Sequence, residues 1–289
     1  MQRHNICDRH FGKSIRFDGW NVFDLPSSDV FSMLDAQGFL YFEDAHCSLE
    51  AFTAFSDRLI SKFGKDPSSY GNRELLSAGA STYEAVKGTD EVPPHGELYS
   101  LPSPPDLLFL HCSRPADVGG ENTFYCGIAM ADDLVSVVRK RLEVRPIVYR
   151  HRWGRPQWEH YFETPRLEEA LAKIRALPRT RIIEETSEVV VFDYETSAFS
   201  RESGALVNGI VNILSRKGQG INDVFWKGGT RIEDSLLGEL YRVARRHERT
   251  LNLNAGEFVI VNNHRIMHGR KAFSGQRKVA ARFGARSTL

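Results

Sequence analysis

Cysteine is scarce. Cys7, Cys47, Cys112 and Cys126 are spread over 289 positions with no CxxC spacing. That leaves a zinc knuckle or thioredoxin-like motif unsupported and fits free thiols in a reducing cytoplasm better than a disulfide framework. No run of about 18 apolar residues occurs, so no transmembrane helix is expected. The first 20 residues contain no apolar stretch of signal-peptide type. A surplus of one charge is also missing: 38 Lys and Arg face 37 Asp and Glu, a formal net charge of +1. No overall field therefore draws the chain toward nucleic acid or an anionic membrane, and no base-stacking motif accompanies its basic residues. A Gly-rich loop between a strand and a helix is lacking, which leaves Rossmann and P-loop readings without an anchor, and so is the HExxH of zinc hydrolases. There are no repeats and no low-complexity tracts.

What is present is a chain that is 41% hydrophobic and 26% charged, enough for a substantial core. Ser48 opens "SLEAFTAFSDRLISKFG", where Phe52, Phe55, Leu59, Ile60 and Phe63 recur at helical spacing and Gly64 suits the stop. Residues 65–94, rich in Gly, Ser and Pro, read as loop. "DLLFLHCS" and "NTFYC" read as strands, and "AMADDLVSVVRKRLEV" as one helix. From about 145 to 230 short strands such as "VVVFDY" alternate with polar loops. "SLLGELYRVARRHER" is an amphipathic helix, "TLNLNAGEFVIVNN" two strands split by an Ala-Gly turn, and "KVAARFGA" the last strand. Many short strands with turn signals predict a barrel or jelly roll with helices outside it, mainly β with flanking α. No linker is evident, so residues 1–289 read as a single domain with a central insertion at about 145–230.

Two places carry chemistry. In "VPPHGELYS" an extended chain presents His95 and Glu97 two residues apart, on one face. Such a pair is either a hydrogen-bonded couple or two ligands of a metal. Far downstream, "FVIVNNHRIMHGRKAF" supplies His264 and His268 just past a strand. Two histidines and one carboxylate leave three positions of an octahedral ion open, which suits non-haem Fe(II). A zinc site more often closes a tetrahedral shell with one open position.

"HGELYSLPSPPDLLFLHCSRPADVGGENTFYCG" and "AGEFVIVNNHRIMHGRKAF" resemble, in order and separation, the two signature regions of the taurine dioxygenase/clavaminate synthase-like family of Fe(II)- and 2-oxoglutarate-dependent oxygenases. The resemblance covers roughly residues 90–130 and 250–285. It implies a double-stranded β-helix (jelly roll, cupin-like) core, iron bound by His95, Glu97 and His268, and 2-oxoglutarate and O2 as cosubstrates. His264 then sits in the turn beside the site. One arginine is needed for the far carboxylate of 2-oxoglutarate, because its planar fork binds a carboxylate bidentately. Arg282 is the leading candidate and Arg277 the second. The family's spacing of four between two basic residues joins Lys278 to Arg282 here. Asn122 stands where the family usually has a Thr that contacts 2-oxoglutarate, and Thr123 is its alternative after a one-residue shift. The implied reaction is hydroxylation of a small polar substrate, an amino acid or natural-product intermediate that is zwitterionic or anionic, with release of succinate and CO2. Desaturation or ring closure would use the same site, and a cupin-like metal-binding protein without activity is the rival from another class. A carboxylate at position 97 argues against a halogenase. "YRHRWGRPQWEHYF", residues 149–162, reads either as a lid over the substrate or as a solvated cap with an aromatic underside. The reading includes no nucleic-acid or membrane partner and leaves a homo-oligomer open.

Overall fold

The computed structural model describes residues 3–5, 11–16, 21–60, 75–77, 88–97, 99, 104–162, 164–177, 179–195, 204–215 and 222–286. The chain opens with β1 (Arg3–Asn5), β2 (Lys13–Arg16), α1 (Ser27–Gln37), β3 (Phe39–Glu43), α2 (Leu49–Leu59) and β4 (Leu75–Ser77). The first motif region holds β5 (Val92–His95), β6 (Leu107–Arg114), β7 (Val118–Gly119) and β8 (Asn122–Cys126), followed by α3 (Gly127–Asp133) and α4 (Ser136–Val144). The middle comprises β9 (Ile147–Gly154), α5 (Arg155–Phe162), α6 (Leu167–Ala176), β10 (Thr180–Glu185), β11 (Val189–Glu195), α7 (Gly204–Leu214) and β12 (Asn222–Trp226). After α8 (Asp234–Arg246) come β13 (Glu248–Leu251), β14 (Phe258–Asn262), β15 (Ile266–Arg270), β16 (Phe273–Ser274) and β17 (Lys278–Gly284).

Two sheets build the centre. The larger runs β1-β2-β3-β14-β6-β17-β4 and the smaller β13-β8-β15-β5. Strand alternation sorts their side chains by face. Leu108, Leu110, Val259, Val261, Val279 and Ala281 of the larger sheet meet Phe124, Cys126 and Ile266 of the smaller in one cluster. Phe39 stacks on Phe124 across the gap, ring centroids 4.6 Å apart. The alternate residues of the larger sheet, among them Phe42, Phe109, Phe258 and Ala280, face outward under α1 and α2. The molecule is thus mainly β, with helices outside a two-sheet core.

Local chemistry explains most element ends. Ser48 caps α2, its side chain accepting from the Ala51 N–H at 3.2 Å. The helix stops sooner than its apolar spacing suggests, because Ile60 turns extended (φ −113°, ψ 133°) and bridges to Arg286. Phe63 and Gly64 lie outside the described residues. The single helix expected over 129–144 is two: Leu134 and Val135 are both extended, ψ 140° and 145°, with Leu134 buried. The region 65–94, read as loop, contains β4, which pairs with β17. Among the described residues no helix is long and apolar enough to cross a membrane, and Cys47, Cys112 and Cys126 are buried free thiols.

The middle of the chain forms a third sheet, β10-β11-β9-β12. Three helices accompany it where strands and polar loops were expected. Trp153, Trp158, Phe162, Phe192 and Tyr194 pack there with Leu171 and Ile174 of α6. Arg150 pairs with Asp193 at 2.7 Å and Arg155 with Glu159 at 2.7 Å, so the 149–162 stretch has an aromatic underside and ion pairs toward the surface. α7 is apolar nearly all round. Its Val207, Ile210 and Val211 share a cluster with Trp226 of β12 and with Tyr125 and Met267 of the smaller sheet.

Candidate metal and cosubstrate site

His95 ends β5, and β15 places His268 directly opposite it, with Phe124 of β8 across from His268 on the other side. Strand alternation does not carry Glu97, which lies in the turn after β5. Gly96 makes that turn possible. A Cβ there would sit 2.3 Å from the Tyr99 ring and 2.8 Å from Val211. The result brings one ligating atom each of His95, Glu97 and His268 within 4.8 Å of one another. Among the described residues this is the one group of three or more such side chains placed to hold a metal.

The donor chemistry fits a cation. His95 Nδ1 lies 2.9 Å from the Pro93 carbonyl oxygen, which can only accept. Nδ1 therefore carries the proton, and Nε2 keeps its lone pair for a metal. His268 Nε2 is 3.5 Å from Glu97 Oε2, long for a direct hydrogen bond. It is close to the separation of about 3 Å between adjacent ligands of an ion bound at about 2.1 Å. Both imidazoles are buried.

His264 stands beside this group, not in it. Its Nε2 donates to Asp106 Oδ1 at 2.7 Å, and its Nδ1 lies 3.3 Å from the Tyr99 hydroxyl. Burial works to raise the Asp106 carboxyl, but hydrogen bonds from His264 and the Arg286 N–H, with their charges, hold it below the usual range. Burial and the Asp106 charge push the Tyr99 phenol up.

The basic candidates separate cleanly. Arg282 shares the outward face of β17 with Ala280 and is spent on α2. It donates to Asp57 Oδ1 at 2.6 Å, to Ser56 Oγ at 2.5 Å and to the Thr53 carbonyl. The leading expectation for the carboxylate clamp is thus turned away from the inter-sheet space, because its parity on the strand is that of the helix-covered face. Lys278 is exposed, at a register irregularity between β17 and β6. Arg277 points inward. Its guanidinium donates to Asn122 Oδ1 at 3.0 Å, and burial lowers its pKa. Arg277, Asn122, Cys112, Glu121, Asn252 and Asn254 line a cavity of about 320 Å³. Thr123, next to Asn122, alternates to the opposite face with Tyr125. A residue not anticipated is Arg270, which follows His268 by two. It donates to the Gly88 and Asp90 carbonyls, and burial and the charge of Arg277 bring its pKa down to about 10. Its place in "HGR" was the available signal.

Over residues 5–283 the chain matches the family described as "Taurine catabolism dioxygenase TauD, TfdA family". The chain belongs to this family. It is a 2-oxoglutarate-dependent dioxygenase, with iron and O2 completing the chemistry. Among solved structures it is similar to PvcB from Pseudomonas aeruginosa, at 15% identity over 98% of this chain and 91% of that one, with a TM-score of 0.60. A taurine dioxygenase from Burkholderia xenovorans is 16% identical over 100% and 91%, with a TM-score of 0.58. AAD-2, solved with Mn(II) and N-oxalylglycine, is 14% identical over 100% and 99%, also at 0.58. At these identities the likeness speaks for the fold. Among curated proteins none matches.

Proposed function

We propose that this TauD/TfdA-family dioxygenase holds Fe(II) through His95, Glu97 and His268 in a double-stranded β-helix core and hydroxylates a small polar molecule. The observation that carries the proposal is the approach of three donor atoms to within 4.8 Å from residues far apart in sequence. Bound iron supplies the coupling of 2-oxoglutarate decarboxylation, to succinate and CO2, with oxidation of a substrate C–H bond. The chain's own groups do the rest. His95, oriented by Pro93, and His268 present neutral nitrogen donors, and Glu97 adds one negative charge.

Arg277, rather than Arg282, receives the far carboxylate of 2-oxoglutarate, with Asn122 beside it. The charge count favours one cation there: Fe(II), one carboxylate and a dianion leave a single negative charge. Position supports it too. Asn122 lies two residues along β8 from the residue opposite His268, about 7 Å, a span a five-carbon diacid can bridge. A burial that costs Arg277 its hydration is offset once a carboxylate arrives. A binding-only protein would have no use for a half-buried cation lining that cavity. The substrate class, an amino acid or natural-product intermediate, is the one the family resemblance implies, and it is supported by the similar fold of PvcB, described as an Fe, alpha-ketoglutarate dependent oxygenase from an isonitrile synthetic pathway. The site's buried, free-thiol setting suits a cytoplasmic enzyme.

Anaerobic addition of Fe(II) and 2-oxoglutarate should produce a weak visible metal-to-ligand absorption in the native protein and none in His268→Ala. Succinate release over a panel of amino acids and natural-product precursors then identifies the substrate. If the native protein develops no absorption, the proposal fails. If it does so but releases no succinate above the substrate-free level with any member of the panel, the proposed substrate class fails.

A further inference from the structure

The turn that carries Glu97 leaves the sheet at His95, so the N–H groups of Gly96 and Glu97 lose ladder partners inside a buried region. Two side chains from distant parts of the chain replace them. Gly96 N–H donates to Ser215 Oγ at 2.8 Å, and Ser215 directly follows α7. Glu97 N–H donates to Asn263 Oδ1 at 2.8 Å. The same amide returns its Nδ2 to the Glu97 carbonyl at 2.9 Å and to the Pro105 carbonyl at 2.8 Å. Asn263 is fully buried, 0% exposed, and its backbone N–H is bonded to the Asp106 carbonyl at 2.9 Å. No regular structure demands this arrangement. Its effect is to fix the backbone of the one ligand that β-pairing does not place.

We infer that Asn263 and Ser215 are positioning residues for Glu97, resting on the proposed iron triad. Asn263 grips both polar backbone groups of residue 97 and holds its carboxylate toward His268. Ser215 holds the preceding amide, so α7 of the insertion and the metal-binding turn share one anchor. Groups that orient a ligand in this way change metal affinity when removed, typically about 10–100-fold.

The test uses the full chain and Mn(II) alone, titrated anaerobically, with melting of each apo variant measured alongside. The variants are Asn263→Ala, Ser215→Ala, Ser215→Thr and His268→Ala. The expected result is Mn(II) binding weakened about 10-fold or more in Asn263→Ala and Ser215→Ala. Ser215→Thr, which keeps the hydroxyl, should stay near native. A purely structural role would lower the melting temperature and leave the affinity of the folded protein unchanged. If Asn263→Ala does not fold, the Ser215 pair decides alone. Folded alanine variants that bind within about twofold of native, while His268→Ala has lost binding, overturn the inference and leave the triad standing. Native protein that binds no Mn(II), or His268→Ala that binds as well as native, overturns the triad and the inference with it.

Discussion

Arg277, just before β17, and Arg282, within it, lie five residues apart and point to opposite sides of the sheet. Arg282 is bonded to three groups of α2 and its side chain is only 6% exposed, so Arg282→Ala should cost stability. Loss of charge-assisted hydrogen bonds at a buried site amounts to roughly 2 kcal/mol or more, read as a lowered denaturant midpoint with 2-oxoglutarate affinity kept in the folded fraction. Arg277→Ala should do the reverse. Cosubstrate binding falls about 10–100-fold while Mn(II) affinity holds. Equal effects of the two substitutions on cosubstrate binding would refute the assignment. The sequence reading preferred Arg282, and the structure turns that side chain to α2. Parity along β17 was readable, but which parity faces the other sheet depends on where α1 and α2 pack.

At the scale of elements, the turn between β14 and β15 holds the site's periphery together. Asp106 accepts from His264 and from the Arg286 N–H, and its pKa is depressed in the folded state. A carboxyl lowered on folding stabilises the native state above its unfolded pKa, and that contribution disappears as pH falls through the folded value. Native stability should therefore drop on acidification below the ordinary aspartate value of 3.8 more steeply than that of Asp106→Asn, in denaturant midpoints measured against pH. Parallel curves would show the interaction contributes nothing. The strands that carry the motifs were legible because they are apolar runs: β6, β8, β14 and β17 all fall where the pattern put them. The turn at Gly96 was not. Its shape depends on Tyr99 and Val211 closing over a missing Cβ, and Val211 comes from α7, in a stretch read as short strands and polar loops.

For the whole molecule, the insertion and the two-sheet core share one apolar cluster, in which Val207, Ile210 and Trp226 meet Tyr125 and Met267. Cutting between them would expose that surface, so the two parts should unfold together. Three of the four tryptophans, Trp153, Trp158 and Trp226, belong to the insertion, which makes intrinsic fluorescence a reporter for it and far-ultraviolet circular dichroism a reporter for everything. Coincident transitions by the two probes are expected; separated ones would mean the insertion is independent. In this segment Leu167, Ala170, Leu171 and Ile174 recur at helical spacing in α6, a signal that the reading as short strands and polar loops passed over.

The pairing of β5 with β15 carries a timing consequence. His95 leaves the ribosome about 170 residues before its partner at position 268, and contacts of such long range form late. A growing polypeptide short of that point lacks one of the three proposed donors. On the proposed triad the ion is acquired only once position 268 has joined β5.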